Sequence, residues 1–115
     1  MSDADRTDTL RAFRDAVNMS ASELERWLET DASSAAGVVH DGERESVGHQ
    51  SGRRIVELLR TKEAELDDDD LAHMRKVVGY VNRHSAQRPA GDVGDTRWRH
   101  SLMNWGHDPL AGRRR

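Results

Sequence analysis

Leu66-Asp67-Asp68-Asp69-Asp70-Leu71-Ala72-His73-Met74-Arg75-Lys76-Val77-Val78-Gly79-Tyr80-Val81 announces a helix at both the cap and the stripe. Asp67 has the short acceptor side chain of an N-cap, and Leu66 and Leu71 occupy the two positions of a hydrophobic staple. Asp68, Asp69 and Asp70 complement the positive end of the helix dipole. Leu71, Met74, Val78 and Val81 recur at helical spacing with Val77 beside them. Arg83, His84 and Arg88 follow near the negative end, and Pro89 helps stop the helix. One apolar stripe on one long helix must be covered by other helices.

The flanking sequence supplies them. A first helix fits from about Thr9 to Asn18, with Leu10, Phe13 and Val17 on one face. Ser20 and Glu23 spell a capping box, Met19 and Leu24 a staple, and Leu24, Trp27 and Leu28 the stripe of a second helix ending near Thr30. Residues 31–50 read as a polar loop, with a possible extended piece at Val38-Val39. A third helix from about Ser51 or Gly52 carries Ile55, Leu58, Leu59 and Leu66, and Lys62 on that side must snorkel or pair. The helix after Asp67 is the fourth. After a Gly/Asp turn over residues 90–95, a short fifth helix fits Thr96 to Asn104, capped by Asp95 and stopped at Gly106. Trp98, Leu102 and Trp105 share one of its faces. The expectation is an all-α bundle of four to five helices. It has a flexible acidic N-terminus over 1–8, one domain over 9–110, and a frayed basic tail over 111–115.

Composition limits the function classes. At 115 residues there is room for one modest core. Charged residues make up 34% of the chain, above the roughly 25% of an average domain. Cysteine is absent, which removes disulfides, zinc ribbons and thiol catalysis and fits a reducing cytoplasm. No leader or membrane-length apolar run is visible, so a cytoplasmic protein without a membrane partner is expected. The tetra-aspartate lacks the spacing of a calcium loop, and capping explains it. The histidines lack the i, i+4 spacing of helical zinc ligands, and no nucleophile or phosphate-loop motif appears. No metal, cofactor or catalytic residue is expected.

Charge is segregated. Residues 1–70 hold nine Lys/Arg against eighteen Asp/Glu, and residues 71–115 hold nine against three, which gives −9 and +6 and the net −3. A basic half of this kind points to DNA or another nucleic acid, to an acidic protein, or to the acidic half of a second copy. On the fourth helix, Lys76, Tyr80, Arg83 and Gln87 project opposite the apolar stripe, with Arg75 on the flank. Two helices joined by a short turn, the second basic outside, resemble a helix-turn-helix head, although the turn glycine is missing. Amphipathic helices also carry charged outer faces for solvation alone. Arg88, Arg97 and Arg99 extend the basic surface. Trp98 and Trp105 fit either a core seam or a surface on which bases stack. The candidate nucleic-acid-binding set is therefore Arg75, Lys76, Tyr80, Arg83, Gln87, Arg88, Arg97 and Arg99.

Longer stretches carry a family resemblance. They are Val17-Asn-Met with Ser20, Glu-Leu-Glu-Arg-Trp-Leu at 23–28, Glu-Ser-Val-Gly-His at 45–49 and Ser-Gly-Arg-Arg-Ile-Val at 51–56. To these add His-Met-Arg-Lys-Val-Val-Gly-Tyr-Val at 73–81, Arg-His-Ser-Ala-Gln-Arg-Pro at 83–89 and Asp-Thr-Arg-Trp-Arg-His-Ser-Leu-Met-Asn-Trp-Gly-His-Asp-Pro at 95–109. Together they resemble the family called domain of unknown function 3140, and the run from Asp95 to Pro109 is the specific part. Some members carry a DNA-binding label, so the resemblance implies nucleic-acid contact and supplies no catalytic residue.

Overall fold

A computed structural model describes residues 3–37 and 45–111. Among them lie six α-helices and no strand: α1 (Asp3–Ala16), α2 (Ala21–Leu28), α3 (Asp31–Ala35), α4 (Val47–Leu59), α5 (Asp68–Ser85) and α6 (Arg97–Asn104). A 3-10 turn, Glu63–Glu65, precedes α5. The bundle is all-α as the sequence requires, with α3 added in the stretch expected to be loop. No described helix is long and apolar enough to cross a membrane.

The caps form as their chemistry dictates. Ser20 Oγ accepts from Glu23 N at 3.1 Å while the Glu23 carboxylate accepts from Ser20 N at 3.2 Å. Asp67 and Asp70 form a second such box at 2.8 and 3.1 Å. The tetra-aspartate is thus a helix entrance, and its two leucine flanks, Leu66 and Leu71, are both buried. Among the described residues no three His, Asp or Glu side chains gather as metal ligands.

Helix α1 lies along α5, α2 lies on α4, and α6 closes the bundle by touching α2, α3, α4 and α5. The main core joins Phe13, Val17, Leu24, Leu28, Ile55, Leu58, Leu71, Met74, Val77, Val81 and Trp105. Trp27 is only half-buried at its edge. On α5 the seam runs through Val77, which is fully buried, while Val78 is half-exposed.

Several boundaries differ from the sequence reading. The acidic N-terminal stretch is helical from Asp3, because Arg6 reaches back from α1 to the Leu66 carbonyl at 3.0 Å and to the Glu63 carbonyl. Helix α4 begins at Val47, not Ser51. Ser46 caps it by accepting from His49 N at 3.0 Å, and His49 Nε2 donates to the Leu28 carbonyl at 2.6 Å. It ends at Leu59, so Lys62 lies outside the helix, exposed, and has no core side to escape. Thr96, not Asp95, caps α6 by accepting from Arg99 N at 3.2 Å. The connection from α4 to α5 spans residues 60–67 with a 3-10 turn inside it, longer than the three or four residues of a helix-turn-helix. The extended piece expected at Val38-Val39 and the tail from Gly112 to Arg115 lie outside the described residues.

Candidate nucleic-acid interface

The α5 face carrying Lys76, Tyr80 and Arg83 does not look freely into solvent. Helix α6 crosses beside it and covers Tyr80, because Trp98 on α6 and Trp105 at its C-cap stack on the rings of α5. Tyr80 stacks on Trp105 with centroids 4.3 Å apart and on His84 at 5.1 Å. His84 stacks on Trp98 at 6.3 Å, and His73 on Trp105 at 6.4 Å. The Arg88 guanidinium caps the far side of Trp98 at 5.4 Å. The result is one continuous column, His73, Trp105, Tyr80, His84, Trp98, Arg88. Trp98 Nε1 anchors it by donating to the His84 carbonyl at 2.7 Å. Trp98 and Trp105 are buried, so the core reading of the tryptophans holds.

Alongside this column runs a cleft of about 760 Å³. It is lined by the stacked Tyr80, His84, Trp98 and Trp105, and by Val47 and Gly48 at the start of α4, where Gly48 lies against the Trp105 indole. Lys76, Arg83 and Arg97 line it, and no carboxylate does among the described residues. Lys76 and Arg83, each about one turn to either side of Tyr80, are exposed and have no hydrogen-bond or ion-pair partner among the described residues. Arg97 is exposed and donates to the Gly37 carbonyl at 3.0 Å.

The structure therefore gathers four of the eight residues picked from sequence, Lys76, Tyr80, Arg83 and Arg97, and separates the rest. Tyr80 belongs to the wall of the cleft, not to an outer charged face. Arg75 turns the other way, where its Nε donates to Thr9 Oγ1 at 3.2 Å and ties α5 to α1. Gln87 is exposed beyond the end of α5, outside the cleft lining. Arg88 contributes through Trp98. Arg99 is internal: its Nε and Nη2 donate to both Asp108 oxygens at 3.1 and 3.0 Å, and its Nη1 donates to the Gly94 carbonyl at 2.7 Å. Only 17% of the Arg99 side chain and 4% of the Asp108 side chain remain accessible, so this arginine holds the C-terminal turn.

The sequence reading places His84 only at the negative end of its helix and not in the candidate set, although its spacing of four from Tyr80 and eleven from His73 is the signal for a shared ring face. Burial lowers its pKa, opposed by a hydrogen bond to the Trp98 backbone. Its Nε2 is buried without a partner. Burial likewise raises the Tyr80 hydroxyl, opposed by a hydrogen bond with Ser101.

His73 closes the other end of the column. Its Nε2 lies 3.0 Å from Ser51 Oγ, and burial, then the charges of Arg54 and Lys76, push its pKa from 6.5 down to about 4. The folded value is below the unfolded one, so the unfolded chain takes up the proton first as pH falls. Stability should be level above about pH 6.5 and decline from there to about pH 4. A gap of this size corresponds to about 3 kcal/mol at about 1.36 kcal/mol per pH unit, and solvent screening of the half-exposed ring reduces it to about 1–2 kcal/mol. Urea unfolding of wild type and His73→Gln at pH 7, 5.5 and 4.5 measures it. The stability difference between the two proteins should narrow by that amount toward pH 4.5, and a constant difference would contradict the assignment.

With the geometry in view, the comparisons identify the lineage. The chain belongs to the family described as protein of unknown function (DUF3140), whose model matches residues 12–103. Comparison with curated proteins and comparison with solved structures each find no match. The matched span includes the whole of α5 and α6 up to Met103, and so every residue lining the cleft except Asn104 and Trp105.

Proposed function

We propose that the protein binds nucleic acid, preferentially single-stranded, along this cleft. The observation that carries the reading is a concave, mostly aromatic and apolar wall lined by three cations and, among the described residues, by no carboxylate. Polyanions with apolar bases match both properties at once: phosphates meet Lys76, Arg83 and Arg97 while bases leave water against the wall. Duplex reading by insertion of the α5 N-terminus is disfavoured by Asp67 to Asp70, which would meet phosphate with four carboxylates.

Affinity should fall steeply between about 50 and 200 mM salt, since each neutralised phosphate releases counterions. The double reversal Lys76→Glu/Arg83→Glu should reduce affinity for a single-stranded DNA oligomer by at least about a hundredfold. Neither residue has a partner whose loss would unfold the chain, so circular dichroism should match wild type. Unchanged binding by the double variant would take α5 out of the interface.

A second reading rests on the exposed carboxylates at the other end of the same helix. Asp67, Asp68 and Asp69 are exposed at the start of α5, with Glu63 and Glu65 nearby, and the cation-lined cleft of a second copy is their electrostatic complement. Size exclusion at the same salts separates the two: a dimer that dissociates with salt in the absence of nucleic acid favours self-association.

A further inference from the structure

We infer that the cleft is a pocket for one unpaired nucleotide, its base held against the edge of the aromatic column and its phosphate against Lys76, Arg83 and Arg97. This rests on the nucleic-acid reading above and adds what part of the polymer is recognised.

A surface that only follows a phosphate backbone needs a shallow basic groove, whereas this cleft has about 760 Å³, within the roughly 300–1,000 Å³ of small-molecule sites. The ring faces inside the column are already used, Tyr80 between Trp105 and His84, and Trp98 between His84 and Arg88. A base cannot slide between them as it would onto an open aromatic platform. It meets ring edges, which carry the positive rim of the aromatic quadrupole and favour the face of another ring. The guanidinium groups of Arg83 and Arg97 are then the planar groups able to cover the base, as arginine does for unstacked bases elsewhere. A paired base is already stacked on both faces and cannot enter, so selectivity for unpaired nucleotides follows from the walls.

The test uses the full chain and tryptophan fluorescence. Probes are a twelve-residue oligothymidylate, the same oligomer with abasic sites throughout, thymidine monophosphate, a fully paired duplex, and that duplex with one bulged thymidine. The inference expects the monophosphate to bind one per chain and to compete with the oligomer. Abasic substitution should weaken binding by about tenfold or more, and the bulge should restore binding that the duplex lacks. Val47→Trp, which fills the cleft from its apolar side and leaves all three cations in place, should bind parent and abasic oligomers equally. Equal affinity of wild type for the two oligomers, both lost in Lys76→Glu/Arg83→Glu, would overturn the pocket and leave the nucleic-acid reading standing. Failure of every oligomer to bind at low salt would overturn the reading itself. If Val47→Trp does not fold, the abasic comparison on wild type still decides.

Discussion

Asn104→Leu is expected to lower the unfolding free energy by about 3–5 kcal/mol, although leucine replaces the amide with a side chain of similar volume. Asn104 is fully buried at the end of α6. Its Oδ1 accepts from Trp27 Nε1 at 2.8 Å and from Ser33 Oγ at 2.5 Å, and its Nδ2 donates to the Ser33 carbonyl at 3.0 Å. One amide thus joins α2, α3 and α6. Substitution removes all three bonds, and while the Ser33 carbonyl still accepts from Ala36 N at 3.3 Å, the buried Ser33 hydroxyl and the half-buried Trp27 indole N–H lose their acceptor, each a desolvation penalty of about 1–3 kcal/mol. Against a total of about 5–15 kcal/mol for an ordinary domain, that is a large share. Chemical denaturation monitored by circular dichroism measures it, and a loss under 1 kcal/mol would mean that the α3 connection is not part of the cooperative fold.

That amide also explains where sequence reading reached and where it stopped. Helices α2 and α5 were legible because their signals are local: a capping acceptor, its partner three residues on, and leucine staples. Helix α3 was not, since Asp31-Ala-Ser-Ser-Ala has the composition of a loop. It is held by Thr30, whose Oγ1 accepts from Ser33 N at 3.1 Å, and by the bonds from Ser33 to Asn104, seventy-one residues away. The start of α4 was hidden by Gly48, which looks like a helix breaker between Ser46 and the start expected at Ser51 or Gly52. A Cβ on Gly52 would stand 2.5 Å from the Asn104 carbonyl oxygen, so this glycine marks the close approach of α4 to the end of α6.

The candidate site was half legible for a related reason. Helical projection correctly put Lys76, Tyr80 and Arg83 on one face, but projection of a single helix cannot show what crosses over it. Once Trp98 and Trp105 interleave with Tyr80 and His84, a face read as open becomes the wall of a cleft. Gly106 was read as a helix stop and is one: at φ +81° it lets His107 N reach the Leu102 carbonyl at 3.0 Å and Gly106 N the Met103 carbonyl at 2.9 Å, the paired bonds of a Schellman turn. The sequence did not reveal that this turn delivers Asp108 to Arg99.

Asp108→Ala should therefore cost about 3–5 kcal/mol, the range for removing one partner of a buried ion pair. The substitution strips both Arg99 contacts and also the acceptor for Leu110 N at 3.0 Å. Two bonds are spared, because Asn18 and Asp108 are joined through the Asp108 backbone, at 2.9 and 2.8 Å. Arg99→Leu should cost a similar amount for the converse reason, a buried carboxylate deprived of its arginine. The double variant Arg99→Leu/Asp108→Leu should recover most of the loss, since it buries neither charge alone. A double-mutant cycle by urea unfolding, closed with Asp108→Leu as the second single variant, gives the coupling, expected to exceed the cost of either single change because the pair together should cost less than one alone. The same variants separate structure from recognition at this arginine. If Arg99 acts only through the fold, the double variant should bind oligonucleotide with wild-type affinity and an unchanged salt slope. A double variant that melts like wild type but loses one phosphate's worth of salt dependence would place Arg99 at the ligand and break the structural assignment.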